Sequence, residues 1–96
     1  MPNIRDEILT SRRNPRVLAA SALSDKKERD KTGLFAVEGV KLCEELLKES
    51  LEITAVFCTE HAEAKNPALT RALYEASAEA YFVTEEVYGK LTEEQN

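Results

Sequence analysis

Ile53-Thr54-Ala55-Val56-Phe57-Cys58-Thr59 is the stretch on which the fold turns. It carries no charge, is rich in β-branched and aromatic residues, and reads as a strand. Downstream, Asn66-Pro67 signals a helix start, because Asn accepts from free backbone N–H groups and Pro at the first helical position needs no donor. Leu69, Ala72, Leu73 and Ala76 follow at i, i+3, i+4, i+7, one apolar helical stripe. Tyr81-Phe82-Val83 reads as the next strand. Thr84 then starts a last helix, with Glu85 and Glu86 at the positive end of its dipole and Val87, Tyr88 and Leu91 facing inward. A helix between two strands allows the crossover that parallel pairing requires.

Upstream, Leu34-Phe35-Ala36-Val37, bounded by Gly33 and Glu38-Gly39, is expected to be a buried strand. Gly39 lets the chain turn sharply into a helix whose stripe is Val40, Cys43, Leu46 and Leu47, with i,i+4 pairs Lys41–Glu45 and Glu44–Lys48 outside. Asp25 with Glu28 resembles a capping box for a short charged helix over Lys26 to Lys31, closed by Gly33 as a left-handed cap. That helix has no apolar face to bury and belongs on the surface. Asn14-Pro15 begins an earlier helix with Val17, Leu18, Ala19, Ala20, Ala22 and Leu23 on its apolar side. Residues 1–10 read as a flexible arm, a turn or a short strand. The expectation is a single α/β domain over 1–96, a three-layer α/β/α sandwich around a small, mostly parallel sheet.

The 96 residues, 43% hydrophobic and 32% charged, suit one small soluble domain and leave no room for two ordinary cores. No run approaches the ~20 apolar residues of a membrane span, and no apolar signal core precedes Leu23. With two cysteines and no address, the expected compartment is a reducing cytoplasm. The net charge of -5 hides a split: residues 1–32 carry eight basic and five acidic side chains, and the rest carry five and thirteen. This suggests a basic working surface on an acidic body.

Catalysis finds little support. His61 is the sole histidine and is expected just beyond a strand, with no orienting partner. Cys43 and Cys58 fall at apolar positions and read as small buried hydrophobes. No spacing suits zinc, and no Gly-rich turn suggests a nucleotide cofactor. Nucleic-acid binding has better material. Arg12, Arg13 and Arg16 surround one helix start, and Lys26, Lys27, Arg29 and Lys31 follow on the next exposed turn. Arg matches phosphate oxygens bidentately, and Lys acts as a mobile point charge. The first aromatic is Phe35, so contact with phosphates and shape is expected rather than base-by-base reading. A non-catalytic structural or dimerisation module without RNA contact is the alternative from another class.

Thr10-Ser11-Arg12-Arg13-Asn14-Pro15-Arg16-Val17 and Lys27-Glu28-Arg29-Asp30-Lys31-Thr32-Gly33-Leu34-Phe35-Ala36-Val37-Glu38-Gly39 resemble the N-terminal substrate-binding domain of SpoU-type (TrmH-like) RNA 2'-O-ribose methyltransferases. The resemblance implies a fold related to ribosomal-protein-type RNA-binding domains and a structured rRNA or tRNA as partner, with no membrane. In such enzymes a separate knotted C-terminal domain binds S-adenosylmethionine, transfers the methyl group and forms the homodimer. Nothing here matches that domain's motifs, so no catalytic residue and no cofactor are expected in this chain, and residues 92–96 read as the start of a linker or as a tail. The matching positions are Arg13, Asn14, Lys27, Arg29, Glu38 and Gly39. Phosphate contact is assigned to Arg13, Lys27 and Arg29, helix capping to Asn14, and a turn to Glu38 and Gly39 whose carboxylate holds a basic side chain or a backbone N–H.

Overall fold

The computed structural model describes residues 3–92, with side chains from Ile8 to Thr92. The elements run β1 (Asn3–Leu9), α1 (Pro15–Ser21), a 3-10 turn (Ala22–Ser24), α2 (Lys26–Thr32), α3 (Val40–Lys48), β2 (Ile53–Cys58), α4 (Glu60–Lys65), α5 (Pro67–Ala76), β3 (Ser77–Val83) and α6 (Glu85–Thr92). The three strands form one sheet in the order β1-β3-β2. Both pairings are parallel, with Leu9 opposite Val83 and Val56 opposite Ala80. The β1 ladder shifts register between Ile4 and Ile8.

Successive strand residues point to opposite faces, and β3 is covered on both. On one face Tyr81 and Val83 pack with Leu9, Val17 of α1 and Val87 of α6. On the other, Ala80 and Phe82 pack with Val56, Cys58, Tyr74 of α5, and Leu46 and Leu47 of α3. This is the expected three-layer arrangement, with α1 and α6 on one side and α3, α4 and α5 on the other. The inward residues of α6 are those read from the sequence: Val87 is fully buried, and Tyr88 and Leu91 pack against the same core.

Three expectations are corrected. Leu34-Phe35-Ala36-Val37 forms no strand, and Phe35 is 62% exposed. The third strand is instead β1, where the first ten residues read as an arm, a turn or a short strand. The physical reason lies in β3: its two edges are occupied by β1 and β2, so the 34–37 run has no place beside the strand that is buried on both faces. Second, Asn66 lends no side chain to α5. It sits at the end of α4, a helix the sequence reading did not separate, and its carbonyl receives both the backbone N–H and the hydroxyl of Thr70. The α5 face that is buried therefore centres on Thr70 and Tyr74, one position round from the expected stripe, and Ala76 is exposed. Third, Val40 is exposed rather than inward, and Lys48 pairs with Glu45 at 3.8 Å rather than with Glu44.

Among the described residues no helix is long and apolar enough to cross a membrane. Burial makes the α6 contact a quantitative test. Val87→Ala is expected to cost about 1–3 kcal/mol in urea denaturation, whereas Leu42→Ala, at a position 58% exposed, should change stability by less than about 0.5 kcal/mol.

Candidate nucleic-acid interface

The basic residues of the first third fall into two groups at opposite ends of α1. The first surrounds the turn between β1 and α1. Asn14 caps the helix as expected: its Oδ1 accepts from the Arg16 N–H at 2.9 Å. The preceding turn is closed by Asn14 N–H to the Ser11 carbonyl at 3.1 Å and by Arg13 N–H to the Ser11 hydroxyl at 3.1 Å. These bonds hold Arg12 and Arg13 on an exposed corner. Arg16 turns inward over β3. Its Nε donates to the Tyr81 hydroxyl at 2.6 Å, its guanidinium carbon lies 5.2 Å from the centre of the Tyr81 ring, and Nε is 3.7 Å from a Glu79 carboxylate oxygen. The Tyr81 hydroxyl in turn donates to Glu79.

The second group rides on α2. Asp25 caps this helix through the Lys27 N–H at 2.9 Å, and Gly33 closes it at φ 74°, the left-handed cap the sequence suggested. Among the described residues the other half of the capping box is missing: the Asp25 N–H donates to the Ala22 carbonyl instead of meeting Glu28. Lys26 pairs with Asp30 at 2.7 Å. Lys27 and Lys31 are exposed. Arg29 points back: its Nη1 donates to the carbonyls of Leu23 and Ser24, each at 2.9 Å. A cation there suits the open carbonyls where α1 and the 3-10 turn end, and it ties α2 to the body.

The seven-residue α1 spans roughly 10 Å at ~1.5 Å per residue. That length exceeds the Debye length of about 8 Å at physiological salt. Arg12, Arg13, Lys27 and Lys31 are exposed; Arg16 and Arg29 are held by Tyr81 and by the Leu23 and Ser24 carbonyls.

The chain bends at Gly39, and the partner of the Glu38 carboxylate differs from the expectation. Glu38 accepts from the Tyr88 hydroxyl of α6 at 2.8 Å, neither a basic side chain nor a backbone N–H. Gly39 enters α3 at φ 100°, a conformation that favours glycine. Burial, and then the hydrogen bond and charge of Glu38, push the Tyr88 phenol up to about 12.

Between the end of β1, the turn residues Thr10, Ser11 and Asn14, and the side chains of Arg16 and Tyr81 lies an open cleft of about 230 Å³. The sequence reading missed Tyr81 and Glu79 as site residues, having placed Tyr81 only as part of a strand. The available signal was the phenol itself: a buried Tyr brings a polar tip that must find a partner. The other chemical candidates are quiet. Burial raises the thiols of both Cys43 and Cys58, which disfavours the nucleophilic thiolate. His61 is exposed on α4. Among the described residues no three His, Cys, Asp or Glu side chains are grouped to hold a metal.

Residues 14–96 match the MRM3-like substrate binding domain. The chain belongs to that family. It is thus a SpoU-type methyltransferase substrate-binding domain, and the match covers α1 to α6, including Arg16 and the α2 cations, while Arg12 and Arg13 precede it. Comparison with curated proteins gives no match, and comparison with solved structures gives none. In this MRM3-like domain the Glu38–Tyr88 bond ties the loop before α3 to α6, and pH tests it. The folded phenol titrates above its ordinary value of 10, so its share of stability is complete below about pH 10 and is lost as pH rises through about 12. Glu38→Gln is expected to move the Tyr88 midpoint part of the way back toward 10, leaving the burial contribution, as read by tyrosinate absorbance against a Tyr88→Phe control.

Proposed function

We propose that this domain captures RNA for a methyltransferase that transfers a methyl group from S-adenosylmethionine to a ribose 2'-hydroxyl of rRNA or tRNA. The family match over residues 14–96 is the observation that carries the reading. The methyl donor, the catalytic groups and the homodimer contact belong, in this proposal, to a separate C-terminal domain, and the enzyme works in the cytoplasm.

The geometry supports a backbone-directed grip. Exposed Arg12 and Arg13 at one end of α1, and Lys27 and Lys31 at the other, form two contact points for one sugar-phosphate strand. Each cation that neutralises a phosphate releases counterions, so binding is salt-dependent and largely independent of sequence. The acidic remainder of the chain repels phosphate elsewhere and leaves this edge as the favoured approach. With few contacts, the domain alone binds weakly, and its grip adds to whatever its catalytic partner domain supplies.

The test is a salt titration of binding to a folded tRNA transcript and to a ribosomal RNA hairpin. Replacing both Arg13 and Lys27 by Ala is expected to weaken binding to either RNA and to lower the slope of log K against log salt by about 1 for each residue. Unchanged affinity and slope in the folded double variant would rule out a phosphate grip at these positions.

A further inference from the structure

The cleft at the end of β1 has a floor ill suited to a bare phosphate. Among the described residues Arg16 is its one lining cation, and that guanidinium already faces the Glu79 carboxylate at 3.7 Å and the Tyr81 hydroxyl at 2.6 Å. A phosphate there would meet a neutralised cation and a nearby negative charge. We propose instead that the cleft receives one unpaired nucleobase of the bound RNA, an inference that rests on the RNA-binding reading above.

Three observations carry it. The first is chemical. Among the lining residues the Arg16 guanidinium donates and the hydroxyls of Thr10 and Ser11 both donate and accept, while Glu79, outside the lining, accepts from Tyr81. A nucleobase edge also presents both. The second is shape. The Arg16 guanidinium lies over the Tyr81 ring on one side, at 5.2 Å, and its side chain is 50% exposed. That leaves a planar outer surface, and bases splayed from RNA stack on such guanidinium planes. The cleft, about 230 Å³, is smaller than the roughly 300–1,000 Å³ of pockets that enclose drug-sized ligands, and suits one flat ring system. The third is position. The same turn that walls the cleft carries exposed Arg12 and Arg13, so phosphates flanking an inserted base would lie against cations. A base paired and stacked in an A-form helix does not present its ring to such a cleft, and extrusion costs least where the base is already unpaired.

Two measurements on the full chain test this. In the first, backbone amide shifts are followed while AMP, GMP, CMP and UMP are added in turn, with ribose 5-phosphate as the control. The expected result is movement of Ser11, Asn14 and Arg16 with at least one nucleotide and not with the control. Equal movement with ribose 5-phosphate, or none with any nucleotide at 10 millimolar (roughly the weak end of single-site affinities), overturns the base assignment. In the second, an RNA hairpin with an unpaired loop is compared with a blunt duplex of the same phosphate count. The native chain should prefer the hairpin by roughly tenfold, the scale of one stacked base. Ser11→Trp, which fills the cleft from an exposed position, should abolish that preference, and Tyr81→Phe, which keeps the ring, should reduce it. Preference unchanged in folded Ser11→Trp also overturns the proposal. Nucleotide shifts without binding to either RNA would sink the RNA reading alone, whereas salt-dependent binding to both RNAs without nucleotide shifts would sink the cleft alone.

Discussion

Burial of β3 on both faces is the constraint on which the rest depends. Ala80 is fully buried and Tyr81 and Val83 are 2% exposed, and they look to opposite sides of the sheet. A parallel strand in that situation must have both backbone edges paired and both faces covered, since any unpaired N–H or carbonyl there loses its water without compensation. β1 and β2 supply the edges, α1 and α6 one cover, and α3 to α5 the other. The same strand also builds the site. The Tyr81 ring stacks on Phe57 at 5.6 Å inside the core, while its hydroxyl reaches Arg16 and Glu79 at the cleft. The polar tip is held by the packing of the ring beneath it, so the geometry of the cleft is inherited from the core.

How much of this was legible in the sequence follows from how local each signal is. Caps and crossovers are local. Asn14, Asp25 and Gly33 act within two to four residues of their partners, and all three do what their chemistry suggests. Strand pairing is not local. Leu34-Phe35-Ala36-Val37 has the composition of a buried strand and Asn3–Leu9, with its three charged residues, does not, yet the second is the strand. Composition reports what a segment would tolerate, and the sheet is decided by which segment reaches a free edge of β3. Asn14-Pro15 and Asn66-Pro67 show the same limit at smaller scale. Asn66 is taken up as the end of α4, and its backbone carbonyl, not its side chain, serves α5.

The basic residues were legible as a set but not as individuals. Sequence counts eight cations in the first 32 residues; it cannot say which are spent. Arg29 holds two carbonyls where the first helical segment ends, and Arg16 holds a phenol whose strand lies 65 positions away. An arginine has five N–H donors, so these bonds do not exhaust it. They do fix its rotamers, and a side chain already ordered loses less entropy when it meets a ligand. Lys27, Lys31 and Arg13 stand at the other extreme, exposed on long stems that adapt to any backbone path at an entropic cost.

That division bears on how the surface discriminates. Mobile lysines and arginines attract any polyanion and fall off with salt, which suits capture. In the proposed reading, ordered groups lining the open cleft favour a ligand of matching shape, which suits selection. Here the two kinds are joined through α1 and the 3-10 turn, with Asn14 capping the start of α1 and Arg29 binding the Leu23 and Ser24 carbonyls of the turn. In the proposed reading, a strand gripped at α2 would reach the cleft across a folded connection rather than a flexible linker. On that reading the short helix between the two cation groups acts as a spacer, and Val17, buried against the β3 core, fixes it to a domain whose net charge is -5.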